Sequence, residues 1–322
     1  MFNIEPKTVE LDSVDCTDHT FVVSCGFDLR PLRDSLQTLG LLSPPLLRQL
    51  PNGSRQIICG YQRVMVLAEL GWPTFPALVW PADTPDVRCL LASLHDNYLG
   101  RGFNPLEAAR MIDRLLQHFD SDTVCRIYLP PLGLPPSPKH LGKYRSLLSL
   151  EAAYQDLVAQ RRLVVEAAAL LSQWTALDRA ALLPLLHGLA FSHSSQLEIV
   201  EFLTTLSRRH GSSPAFWLEH PELQSLLQDA SLSAPEKINR IIHRFRRWCF
   251  PRASRAQQQF DDHLKALGLY HHPEVRLIPP PAFESSSFRL EVRFQNQAQL
   301  RRLLHHLQEL SQRQELKAIL SL

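Results

Sequence analysis

RQIICGYQRVMVLAELG, residues 55–71, passes from strand to helix at a single glycine. Residues 56–59 are a short apolar run of strand character, Gly60 interrupts it, and a helix begins at once with Arg63 in its first turn. Such a turn leaves unpaired backbone N–H groups at a helix N-terminus, where the helix dipole adds positive potential. Glycine lets an anion approach backbone that has no Cβ. The Arg63 guanidinium can fork onto a phosphate. The same residues also suit a plain strand-to-helix connection with a solvated arginine.

Two flanking segments extend this reading. Upstream, SLQTLGLLSPPLL (35–47) ends a helix at Gly40, places Leu41 and Leu42 for burial, and enters the next strand through Pro44-Pro45. Downstream, DNYLGRGFNPLE (96–107) puts Asp96 and Asn97 near the end of a helix that starts with Thr84 as N-cap and Pro85 at the first helical position. Gly100-Arg101-Gly102 breaks that helix, and Asn104-Pro105 starts another with Glu107 three residues after the cap. Carboxylate, amide and guanidinium together could serve a magnesium-bound triphosphate. They equally suit the corner between two helices.

Residues 1–80 alternate strand and helix signals. Strands are expected at 8–11, 20–24, 46–49, 56–59 and 76–80, and helices at 29–39 and 61–70, each closed by a glycine. Asn52-Gly53 between two short apolar runs marks a hairpin. From Thr84 onward the pattern is helical: 84–99, 104 onward, then, after the proline-rich turn LPPLGLPPSPKH (129–140), 138–149, 151–159, 163–173, 176–189 and 194–209. Residues 214–232 are undecided; a basic helix at 235–249 is ended by Pro251 and followed by one at 254–267. Strands at 274–278 and 288–294 and a terminal helix at 297–319 close the chain. The fold class is α+β: a mixed domain over 1–103, a helical domain over 104–232, and a basic helix with a hairpin-and-helix piece over 233–322.

A chain of 322 residues has room for two or three domains, and its 45% apolar and 20% charged residues are those of an ordinary globular protein. No apolar run approaches the roughly 20 residues of a membrane span. The N-terminal stretch has neither a basic start nor an apolar signal core, so export and membrane insertion are not expected. Six scattered cysteines without a Cys-x-x-Cys pair read as free thiols of a reducing, cytoplasmic compartment. Fourteen histidines form no H-E-x-x-H or finger spacing. Net charge is +2, but residues 235–256 alone hold seven Lys/Arg against one Glu. Arg240, Arg244 and Arg247 share a face of the basic helix and suit a phosphate backbone, or else form a solvated charged face.

Taken in series, the three segments resemble the N-terminal domain of the ParB family, in Ser35–Pro44, Ile57–Arg63, Leu70–Val79 and Asp96–Glu107. The resemblance continues into LGLPPSPKHLGKYRSLLSLEAAYQDLVAQRRL (132–163), which is similar to the family's helix-turn-helix. It implies a nucleotide pocket holding a nucleoside triphosphate, CTP in ParB itself, with Mg²⁺. The implied pocket residues are Gly40, Leu41, Gly60, Gln62, Arg63, Asn97 and Arg101, with Asn97 on the metal and Asp96 as the catalytic candidate. DNA contacts are implied for Lys139, Lys143, Tyr144 and Arg145, and a homodimer is expected. The family's G-E-R-R stands here as Gly60-Tyr61-Gln62-Arg63, and Gly100 occupies an arginine position with Arg101 one residue late. Those departures speak against hydrolysis more than against binding. Sulfiredoxin shares the fold, but Tyr61 stands where its cysteine would be. The reading is therefore a nucleotide-regulated, DNA-binding partition-type protein. Its alternatives are a phosphotransferase or nuclease using Asp96, and a degenerate protein-binding scaffold.

Overall fold

The computed structural model describes residues 5–321, in two units that divide between Val200 and Glu201. Residues 1–4 of the N-terminal stretch, and residue 322, lie outside the described residues.

The first unit is built on a hairpin. Asn52 Oδ1 accepts from Ser54 N at 3.1 Å and Gly53 sits at φ +86°, a turn that returns the chain on itself. Five strands form the sheet: β1 (Lys7–Glu10), β2 (Val14–Asp15), β3 (Leu46–Gln49), β4 (Arg55–Cys59) and β5 (Thr74–Trp80). Their order is β1-β5-β3-β4-β2. β3 runs antiparallel to β4 and parallel to β5. β1 closes one edge antiparallel to β5, and β2 closes the other parallel to β4.

β4 is buried from Gln56 to Cys59 and supplies two cores, a register shift against β3 at Leu46/Leu47 breaking strict alternation between Ile57 and Cys59. Ile57 packs with Leu47, Val64, Leu67 and Phe75, beneath α1 (Arg30–Leu39) and α2 (Tyr61–Glu69). Ile58 and Cys59 face the other way, onto Cys89, Leu90 and Leu94 of α3 (Asp86–Gly100) and Met111, Ile112 and Leu115 of α4 (Pro105–Leu115). That cluster runs on to Leu129 and Leu141, so the sheet shares a core with the helices after it. Each of these side chains contributes about 1.5–3 kcal/mol by leaving water.

The helical part continues through α5 (Ser121–Thr123), a π turn at Val124–Tyr128, α6 (Pro138–Ser146), α7 (Ala152–Ala159), α8 (Val165–Leu171), α9 (Ala176–Gly188) and α10 (His193–His210). The second unit, which begins within α10, holds α11 (Pro214–Leu218), α12 (Pro221–Gln228), α13 (Ala234–Cys249) and α14 (Pro251–Ala266). It ends in an antiparallel pair, β6 (Val275–Ile278) and β7 (Arg289–Val292), with α15 (Gln297–Ser311) and α16 (Gln314–Ile319). Phe260, Leu264, Val275, Leu303, Leu310 and Ile319 make its core.

The α+β class, the hairpin and the Asn104/Glu107 capping box are as the sequence predicts. Four details differ. Residues 20–24 belong to no strand; the Phe21 and Val22 carbonyls accept from Ser93 Oγ and Arg114 Nη2 instead. The N-cap of α3 is Pro85, not Thr84, whose carbonyl accepts from Arg48 at 2.8 Å. Pro251 ends α13 but also opens α14, at the first helical position, where its missing N–H costs nothing. The terminal helix is two helices, broken between Ser311 and Gln314. Among the described residues no helix is long and apolar enough to cross a membrane.

Candidate functional site

Gly60 sits at φ +84° and ψ 25°, in the left-handed region, as the N-cap of α2. It supplies no capping side chain, so the first N–H groups of α2 point outward without an intrahelical partner. A Cβ on residue 60 would lie 2.9 Å from Arg63 Nη2. The backbone conformation favours glycine, and a side chain there would displace the guanidinium folded back across it.

Arg63 ties three segments together. Its Nη1 donates to the Ser43 carbonyl at 2.7 Å and to Ser43 Oγ at 2.8 Å, and its Nη2 lies 3.6 Å from Asp96 Oδ2. Pro44 and Pro45 hold the Ser43 strand entry in place, and α3 delivers Asp96 one turn before its end. Around this guanidinium opens a cleft of about 370 Å³, walled by Phe21–Ser24 and floored by Ser93. That volume is in the range of small-ligand sites.

The rim is formed by Asn97, Gly100 and Arg101. Asn97 Nδ2 donates to the Ser93 carbonyl at 2.8 Å, which leaves its Oδ1 as an acceptor. Arg101 makes a two-pronged pair with Glu107, at 2.9 and 2.8 Å, donates to Ser24 Oγ at 3.0 Å, and lies 4.3 Å from the Phe27 ring centre. Glu107 is fully buried and also accepts from Asn104 N and Cys25 N. Arg101 thus fastens the 24–27 loop, one wall of the cleft, to the start of α4. Burial pushes the Cys59 thiol up, and a neutral thiol there is no nucleophile.

The cleft brings together Gly60, Gln62, Arg63, Asp96, Asn97 and Arg101 from segments far apart in sequence. Gly40 and Leu41 are not among its walls. Gly40 closes α1 through its N–H to the Leu36 carbonyl, and Leu41 packs against the sheet core. Ser43, Ser93 and Phe21–Ser24 are the members that sequence reasoning missed. Only Ser43 carries a local signal, as the residue before Pro44-Pro45.

Among the described residues no group of three or more His, Cys, Asp or Glu is placed to hold a metal ion. Asp96 and Asn97 offer one carboxylate and one amide oxygen at the cleft, the oxygen donors that a Mg²⁺ ion would take.

Of the helical residues singled out for DNA, Lys139 is exposed. Lys143 Nζ lies 2.8 Å from Glu166 Oε1, and Arg145 Nε lies 3.3 Å from Asp113 Oδ1. Tyr144 packs against the core cluster of the sheet and α4, and burial raises its phenol. In the second unit Arg240 and Arg247 are exposed on α13, while Arg244 pairs with Glu222 of α12.

No protein-family model matches the chain. A probable chromosome-partitioning protein ParB of Pseudomonas putida is 28% identical over 171 residues, 45% of this chain and 58% of that protein. The chain thus spans less than two thirds of the length of this curated relative. Two structures of C-terminally truncated chromosome-partitioning protein ParB from Caulobacter crescentus also match. One, complexed to the centromeric parS site, covers 61% of this chain and 98% of its own at 17% identity and a TM-score of 0.35. The other, complexed with CTP-gamma-S, covers 56% and 98% at 21% identity and a TM-score of 0.26.

Proposed function

This chain belongs to the ParB family, and we propose that its first unit binds a nucleoside triphosphate, CTP foremost, with Mg²⁺ in the cleft at Gly60, and that the bound state controls association with DNA. One observation carries this reading. Three segments separated by tens of residues converge so that Gly60, Arg63, Asp96 and Asn97 surround one cleft of nucleotide size.

In this reading the phosphates meet the open N–H groups of α2 and the Arg63 guanidinium. Asn97 Oδ1 and Asp96 hold Mg²⁺, which neutralises phosphate charge when bound. The chain supplies the switch. Arg63 holds Ser43 and Asp96. A triphosphate competing for the guanidinium frees Asp96 for the metal and loosens the Ser43 segment. Leu39, Leu42, Tyr98 and Leu99 on the adjoining segments are exposed apolar side chains, suited to a second copy once the segment is re-set. DNA association follows through the helices around Lys139, in the cytoplasm, in chromosome or plasmid partition.

Isothermal titration with CTP, ATP and GTP, each with Mg²⁺, tests the reading. The expected result is heat with CTP, weakened roughly 10- to 100-fold in Arg63→Ala, the worth of one or two charge-assisted hydrogen bonds. Absence of heat with all three nucleotides overturns it.

A further inference from the structure

The second unit contains a larger cleft, of about 1170 Å³, at the junction of α13 and α14. Phe250 stands at that junction, 47% exposed, between the end of one helix and the start of the next. Its ring is braced from one side by Phe202, edge-on at 6.2 Å between centres. Arg247 precedes it by three residues and Arg255 follows it by five; both are exposed and both line the cleft.

The charges of the cleft do not cancel. Each of its carboxylates already has a donor: Glu222 has Arg244, Asp262 has Lys265 at 3.6 Å, and Asp261 accepts from Gln257 at 2.8 Å. Arg247 and Arg255 have no ion-pair partner among the described residues. Residues 201–322 as a whole hold 17 Lys/Arg against 12 Asp/Glu. What is left over is two guanidinium groups flanking an exposed aromatic ring.

We propose that this cleft binds single-stranded nucleic acid, with a base stacked on Phe250 and the flanking phosphates on Arg247 and Arg255. Guanidinium groups track a phosphate backbone and an aromatic face takes an unpaired base, whatever its identity. A closed duplex offers phosphates but no free base face, so it leaves Phe250 unused. An acidic peptide would satisfy the arginines and leave the ring unused in the same way. This inference does not rest on the nucleotide reading of the first unit.

The test is fluorescence anisotropy of the full chain with a labelled oligo-dT of about 12 nucleotides, against a duplex of equal length. The single strand is expected to bind more tightly than the duplex. Phe250→Leu, which keeps apolar packing against Phe202, should weaken single-strand binding roughly tenfold, and Phe250→Trp should restore it. Arg247→Ala with Arg255→Ala should lower the slope of log affinity against log salt by about 1.4, two single-strand phosphate contacts. Arg126→Ala, which removes an exposed cation of the first unit, should leave the single-strand affinity unchanged. The proposal is overturned if Phe250→Leu binds like the parent chain, if the duplex binds as tightly as the single strand, or if polyglutamate of matched charge displaces the oligonucleotide.

Discussion

Arg63 and Arg101 both stand beside a glycine in a turn, and their surroundings give them opposite roles. Arg63 reaches a serine, a carbonyl and the half-exposed Asp96, partners that tolerate its departure. Arg101 is the counter-charge of Glu107, a carboxylate with no exposure. Removing one partner of a buried pair strands the other, at a cost of about 3–5 kcal/mol, whereas an exposed pair is worth about 0–1 kcal/mol. Arg101→Ala should therefore lower the urea unfolding free energy by about 3 kcal/mol. Arg63→Ala should stay within about 1 kcal/mol of the parent and weaken nucleotide binding roughly 10- to 100-fold. If both variants melt alike, the division between structural and ligand-facing arginine is wrong. The sequence places both arginines at the site, and the Asn104/Glu107 capping box is readable from spacing. That Glu107 is also the partner of Arg101 is not, because one residue type at one spacing serves both duties.

At the scale of elements, the short-range signals are the ones that are legible. Asn52-Gly53 makes its hairpin and Asn104-Pro105 its helix because the partners lie within a few residues. Residues 20–24 have strand composition, yet no strand pairs with them. Ser93 Oγ donates to the Phe21 carbonyl at 3.0 Å, and Arg114 Nη2 donates to the His19 and Val22 carbonyls at 2.6 and 2.9 Å. Those donors come from α3 and α4, more than seventy residues away, beyond the reach of any local pattern. The wall of the cleft is set by that long-range capture. A similar device joins the later helices. Arg179 of α9 donates to both oxygens of Glu151, the N-cap of α7, at 2.8 and 2.7 Å, and to the Trp174 carbonyl at 2.6 Å. The hydrogen bond from Arg179 holds the Glu151 carboxyl below its ordinary value of 4.5. A carboxyl depressed on folding adds stability above its unfolded value, and that stability is lost as pH falls through its folded value. Acid titration followed by circular dichroism should show helix loss beginning below about pH 4.5. Glu151→Gln should be less stable than the parent at neutral pH, and the difference should close as the solution is acidified. A difference that persists unchanged at low pH would show that the carboxylate charge is not what joins α7 to α9.

At the scale of the whole chain, charge divides unevenly: residues 1–100 hold seven Lys/Arg and eleven Asp/Glu, while residues 235–256 hold seven and one. An anion bound by the first unit must therefore be held by local geometry against an unfavourable background, and one bound by the second is drawn by the general field. In the proposed reading this uneven charge is why the first cleft would rely on a left-handed glycine, helix N–H groups and a metal ion, and the second on unpaired arginines and a ring. It also explains the uneven legibility of the two sites. A cleft made by geometry leaves a motif in the sequence, whereas a cleft made by surplus charge leaves only a composition, which a solvated helix face would share. The two ligands should accordingly leave separate footprints in hydrogen exchange of the full chain. CTP with Mg²⁺ at about 100 times its Kd stabilises its binding unit by about 2.7 kcal/mol. It should slow exchange in α2 and at the end of α3, where Gly60, Arg63, Asp96 and Asn97 sit. Oligo-dT should instead slow exchange where α13 passes into α14, around Phe250. Nucleotide protection confined to α13 and α14 would move the nucleotide to the second cleft. Protection of α2 by oligo-dT without nucleotide would assign the first cleft to the nucleic-acid phosphate. Either footprint would show that general charge, and not the Gly60 turn, decides where an anion binds.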